Sequence, residues 1–150
     1  MTDYSLLNKQ LSALLAGETN HTGMLANAAA LLHETTGWFW VGFYMVSGDE
    51  LLLGPFQGSP ACYRIGYGRG VCGTSWARRE SLVVADVEEF PGHIACSSQS
   101  RSEIVVPIFH EGEVKGVLDI DSTELNTFTD HDREGLETFC SILSAALYGR

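Results

Sequence analysis

Four cysteines, a set of clustered carboxylates and an alternating aromatic segment are the residues of this chain that carry chemistry. Cys62 and Cys72 lie ten apart around a glycine-rich turn. Cys96 sits among small and polar neighbours: His93, Ser97, Ser98, Gln99 and Ser100. A thiol held in such a setting near a cation loses its proton easily and becomes a nucleophile, and an ordinary loop thiol is the equally weighted alternative. Cys140 falls on an apolar helical stripe, where a thiol acts as a small hydrophobe. In VLDIDS, Asp119 and Asp121 are two apart on a strand and project from one face, with Leu118 and Ile120 on the other. Glu103 starts the preceding strand. Three acids at one end of a pocket bind an ammonium group, or hold a proton when crowding raises a pKa. The bland reading of the Asp pair is a solvated sheet face.

The segment WFWVGFYMV alternates as well. Trp38, Trp40, Gly42 and Tyr44 are expected on one face, and Phe39, Val41, Phe43 and Met45 on the core face. Two indoles and a phenol suit either a satellite core or the wall of a pocket for a small apolar group. A zinc site made of Cys62, Cys72, His93 and Cys96 is disfavoured, because the chain has no Cys-x2-Cys pair. GYGRGVCG lacks the GK[ST] ending of a phosphate loop.

These residues need elements to position them. Leu7, Leu11, Leu14 and Leu15 predict a helix over 4–16 ended by Gly17, and residues 22–35 predict an Ala-rich helix ended by Gly37. Strands are expected at 38–46, 50–58 and 61–67. A glycine loop opening a short helix follows at 68–80, then a brief strand at 81–86 and an aperiodic stretch over 87–102. Strands at 103–109 and 113–122 form a hairpin. The last helix is capped by Thr129, with Asp130 and Asp132 at the positive end of its dipole. This order implies an α+β fold: an antiparallel sheet covered on one face by terminal helices.

Composition narrows the function. The 150 residues are 45% hydrophobic and suit one domain, 1–150. With 19 Asp and Glu against 9 Lys and Arg, the net charge is −10, which disfavours nucleic acid and anionic membrane surfaces as partners. The N-terminus MTDYSLLNKQ has no secretory pattern, so the expected location is the cytoplasm, where standing disulfides are rare.

GPFQGSPACYRIGYGRGVCGTSWA (54–77), DVEEFPGHIAC (86–96), SEIVVPI (102–108) and GVLDIDS (116–122) together closely resemble the free methionine-(R)-sulfoxide reductases, which are stand-alone GAF domains. The likeness spans about residues 20–148. It implies a GAF-like six-stranded antiparallel sheet with N-terminal and C-terminal helices on one face and a pocket on the other. It also implies a thioredoxin-dependent L-methionine (R)-S-oxide reductase, acting on the free amino acid without cofactor or metal. Carried over by motif, Cys96 is the nucleophile, Cys62 resolves it, and Cys72 is an accessory or second resolving thiol. Glu103, Asp119 and Asp121 match the substrate-binding and sulfoxide-activating carboxylates, with Glu103 and Asp121 as the acid candidates. Trp40 and Tyr44 match the aromatic wall. The alternative is a GAF module that senses a small ligand without chemistry, and the resemblance leaves a homodimer open.

Overall fold

The computed structural model describes residues 1–94, 96 and 98–149. Ser97, one of the polar neighbours of Cys96, lies outside them. Among the described residues the chain runs α1 (Tyr4–Leu15), α2 (His21–Thr36), β1 (Trp40–Ser47), β2 (Glu50–Gln57), β3 (Arg64–Gly66), α3 (Gly70–Arg78), β4 (Leu82–Val84), β5 (Ser102–His110), β6 (Glu113–Ser122) and α4 (Asp130–Tyr148), with a 3-10 turn at Val87–Glu89. The strands form one sheet in the order β3-β2-β1-β6-β5-β4, every neighbouring pair antiparallel. This is the α+β, six-stranded GAF-like fold that the sequence implied.

Local chemistry sets the element ends. Gly37 takes a left-handed conformation, φ 71°, and its N–H closes α2 on His33 O. Thr129 and Asp132 form a reciprocal capping box at the start of α4. Asp132 also accepts a 2.7 Å hydrogen bond from the Tyr4 hydroxyl, which ties the first helix to the last. β5 and β6 meet through Glu111 and Gly112, both at positive φ, as a tight hairpin turn requires.

Two cores lie on opposite faces of the sheet. Leu7, Leu11, Leu32, Phe139 and Leu143 from α1, α2 and α4 pack against Val41, Phe43, Ile104, Leu118 and Ile120. On the other face Trp40, Tyr44, Leu51, Val105 and Val117 meet Val71 and Cys72 of α3. Cys140 is buried in the helix-side core, the packing role its position suggested.

The structure corrects three expectations. Leu14 is exposed, because the apolar stripe of α1 passes through Leu7, Leu11 and Leu15. Trp38 is not on the face of Trp40. The ladder begins at Trp40, and Trp38 turns to the helix side, edge-to-face with Phe128 at 5.2 Å. Phe39 correspondingly packs on the pocket side. The third strand covers only Arg64–Gly66 rather than 61–67, and the Cys62 carbonyl accepts the Tyr44 hydroxyl rather than a ladder hydrogen bond.

α1 and α4 approach so closely at Gly135 that a Cβ there would collide with the Tyr4 ring. Alanine normally strengthens a helix by about 1 kcal/mol over glycine. Overpacking a buried contact costs about 1–3 kcal/mol. Gly135→Ala is therefore expected to lower Tm in thermal unfolding, and a rise in Tm would show that the helices separate freely.

Candidate active site

The register of the sheet builds the site. Trp40 pairs with Asp121, and Asp121 pairs with Glu103, so these three side chains stand in one row across β1, β6 and β5. In the next row Gly42 pairs with Asp119. Residues directly opposite in an antiparallel sheet share a face, so all three acids point away from the helix-side core. Gly42 matters here, because a Cβ at that position would strike Trp40 and Phe56, which stack at 5.0 Å.

α3 brings Cys72 over these rows. Gly68 and Gly70 adopt positive φ, and a Cβ on Gly73 would run into the carbonyl of Gly66, so the turn can fold tightly onto the helix. The Cys72 thiol and the carboxylate oxygens of Glu103 and Asp119 lie within 4.8 Å of one another. A mixed thiol and carboxylate set of this spacing suits a small cation or an ammonium group. The weighed zinc set of Cys62, Cys72, His93 and Cys96 is not assembled, because Cys62 and Cys96 are joined in a disulfide, Cα–Cα 5.4 Å. That bond ties the loop before β3 to the long loop before β5, and its Cys96 end lines the pocket.

One pocket thus collects every predicted site residue except Cys62, whose disulfide partner Cys96 lines it. It holds Trp40, Tyr44, Cys72, Cys96, Glu103, Asp119 and Asp121. The solvated-face reading of the Asp pair does not hold: Asp119 is only 6% exposed and Asp121 is half-buried beside it, lining the same pocket. Sequence reasoning missed Ser100, Arg69 and Ile94 as lining residues, and gave His93 a place only in the zinc set. Two buried polar atoms in this pocket, Asp119 Oδ1 and Ser100 Oγ, have no hydrogen-bond partner among the described residues. A buried polar atom left unpaired costs about 1–3 kcal/mol, a cost that a polar guest removes.

Burial dominates the electrostatics. It pushes the carboxyl groups of Glu103 and Asp121 well above the usual carboxylate range, and the nearby Asp119 charge pushes them further. Asp119 is also raised by burial, but hydrogen bonds from Glu103 and Cys72 and the nearby His93 pull it back. The Cys72 thiol is raised by burial first and by the three acids second. The cluster therefore holds protons well above the pH at which exposed carboxylates release them.

The GAF domain family matches residues 21–147. The free methionine-R-sulfoxide reductase of Escherichia coli (strain K12) is 50% identical over 145 residues, covering 96% of this chain and 88% of that protein. The chain belongs to the free methionine-R-sulfoxide reductase family of GAF domains. An X-ray structure of the Neisseria meningitidis member in complex with its substrate matches with a TM-score of 0.94 and 51% identity, over 95% of this chain and 87% of that one. The reduced form of the Staphylococcus aureus protein matches with a TM-score of 0.94 and 48% identity, over 98% and 96%. The family match begins at the start of α2, so α1, which is locked to α4 through Tyr4, lies outside it.

The raised acids make stability depend on pH. For Glu103 the folded pKa exceeds its ordinary 4.5, so the folded state binds more protons than the unfolded state once pH rises past that value. Unfolding free energy then falls with pH up to the folded pKa. Glu103→Gln removes this term, so its Tm relative to the parent should climb between pH 4.5 and pH 8. A pH-independent Tm difference would show that folding leaves the Glu103 pKa at its ordinary value.

Proposed function

We propose that this chain reduces free L-methionine-(R)-sulfoxide to methionine, with Cys96 as nucleophile and Cys62 as the resolving thiol. One observation carries the reading. A disulfide between these two cysteines closes a pocket whose floor is a proton-holding cluster of Glu103, Asp119 and Asp121. The relatives named above act on the same class of compound, which supports it.

The steps follow from the side chains. A sulfoxide sulfur is a poor electrophile until its oxygen is protonated or hydrogen-bonded. Glu103 or Asp121, kept neutral by burial, supplies that proton. The Cys96 thiolate attacks sulfur, oxygen passes to Cys96 as a sulfenic acid, and methionine leaves. Cys62 condenses with the sulfenic acid, releasing water and forming the disulfide. A protein dithiol, thioredoxin in the cytoplasm, reduces the disulfide by exchange. No step calls on a metal or an organic cofactor.

The same pocket accounts for a free amino acid as substrate. Asp119, with its unpaired Oδ1, takes the ammonium, and the stacked Trp40 and Tyr44 rings, 6.1 Å apart, take the S-methyl group. A peptide-bound residue has no ammonium to offer, and its flanking chain meets the walls. Cys72, buried beside the acids and held as a thiol, serves as an accessory group.

The test separates chemistry from recycling. Cys96→Ser should abolish methionine release, while Cys62→Ser should release about one equivalent in a single turnover and then fail to recycle with thioredoxin. Glu103→Gln and Asp121→Asn should slow that single turnover. General acid catalysis typically contributes about 10²–10⁴-fold, so losses below tenfold in both would remove them as acids. Equal rates on free and peptide-bound sulfoxide, or the (S) epimer reduced as fast as the (R), would overturn the reading.

A further inference from the structure

The two aromatic residues of the pocket wall do a second job. Trp40 Nε1 donates a 2.9 Å hydrogen bond to Ser59 O. The Tyr44 hydroxyl donates one of 2.9 Å to the carbonyl of Cys62 itself. Both side chains are buried, at 3% and 2% exposure, so water competes little for either bond. Burial also raises the Tyr44 phenol, which keeps it a donor across the ordinary pH range. Gly58 lies against the Trp40 indole at φ 141°, where a Cβ would collide with the ring. The Leu53 N–H bonds Tyr63 O at 2.9 Å on the far side of Cys62. The loop that carries Cys62 is thus held to β1 and β2 at three carbonyls, those of Ser59, Cys62 and Tyr63, and Tyr44 is the residue that holds Cys62 itself.

This matters for the choice of resolving thiol. Cys72 also lines the pocket, but burial among the acids holds it protonated. Cys62 is the thiol whose backbone the sheet fixes opposite Cys96. We propose that Tyr44 is a positioning residue for disulfide closure: its hydroxyl, bound to the carbonyl of Cys62, holds Cys62 Sγ within reach of oxidised Cys96. The inference rests on the reductase reading for the step it serves. In that step Cys62 Sγ attacks the sulfur of the Cys96 sulfenic acid, the S–O bond breaks as the S–S bond forms, and the hydroxyl leaves with the Cys62 proton as water. No outside oxidant is needed. Pinning one thiol raises its effective concentration at the other. A net hydrogen-bond contribution of ordinary size corresponds to about a two- to tenfold effect.

The experiment uses Tyr44→Phe, which keeps the ring and removes the donor. Equilibrating the full chain with dithiothreitol redox buffers, with no methionine sulfoxide present, reads the Cys62–Cys96 disulfide equilibrium alone. Its formation constant should fall about two- to tenfold. A second measurement adds one equivalent of free methionine-(R)-sulfoxide to reduced protein in the presence of dimedone, which traps sulfenic acid. The dimedone adduct at Cys96 per methionine released should rise in Tyr44→Phe. If Tyr44→Phe does not fold, Trp40→Phe removes the neighbouring donor to Ser59 O and should shift both readings the same way. An unchanged formation constant overturns the proposal. A parent protein that releases no methionine overturns the reductase reading instead, and the dithiothreitol titration still judges Tyr44.

Discussion

Three carboxylates crowd one face of one sheet, two of them buried and the third half-buried, and much of the molecule is arranged around that constraint. Full ionisation would place like charges side by side in a poorly solvated pocket, so the cluster keeps protons, takes a cationic guest, or both. Asp119 and Asp121 alternate with Leu118 and Ile120, which belong to the helix-side core. Slipping β6 by one residue would turn both acids into that core and both apolar residues into the pocket. The packing of α1, α2 and α4 therefore enforces the placement of the site as firmly as any residue inside it. The helices that fill the opposite face leave the acidic face to the small α3 and two loops.

Those loops are joined by a bond that the proposed chemistry makes and breaks. A cross-link closing a loop of this length commonly contributes about 2–4 kcal/mol. A catalytic disulfide cannot be the main support of the fold, because the protein must survive its reduction. The structure meets this demand by division. The helix-side core and the full β1–β6–β5 ladder do not involve Cys62 or Cys96. The pocket-side contacts of Trp40 and Tyr44 hold the Cys62 loop by hydrogen bonds that reduction does not cut.

Much of this was legible in the sequence, and the gaps have physical causes. Period-two alternation placed Asp119 and Asp121 on one face, because a strand leaves no other choice. Thr129 and Gly37 marked helix ends, because caps act locally. Alternation failed at Trp38, where the chain has not yet entered the ladder and tertiary contact with Phe128 decides the direction. It failed again at 61–63, where the Tyr44 hydroxyl takes the Cys62 carbonyl that a strand would have used. Such competition is set by residues nearly twenty positions away and leaves no mark in the local pattern. Burial of the acids was equally hidden, since α3 and residues such as His93, Ile94 and Ser100 gather around them only after folding. Ser100 and Gly58 gave no signal of their own, one being a serine in a polar run and the other a glycine in a loop.

The division of labour among the thiols follows from the same polarity map. A thiolate nucleophile is stabilised by nearby positive charge and water, and destabilised by apolar or anionic surroundings. Cys140 in the helix-side core and Cys72 beside three acids are both pushed toward the protonated form. In the proposed reaction, the acids that activate a sulfoxide are thus the groups that disqualify the nearest thiol as nucleophile. A site needing both a proton donor and a thiolate must keep them on different supports. Here the donors stand on the rigid sheet, and Cys62 and Cys96 arrive from loops at its rim. In the proposed reaction, substrate filling the space between them would let both kinds of group act on one sulfur without neutralising each other.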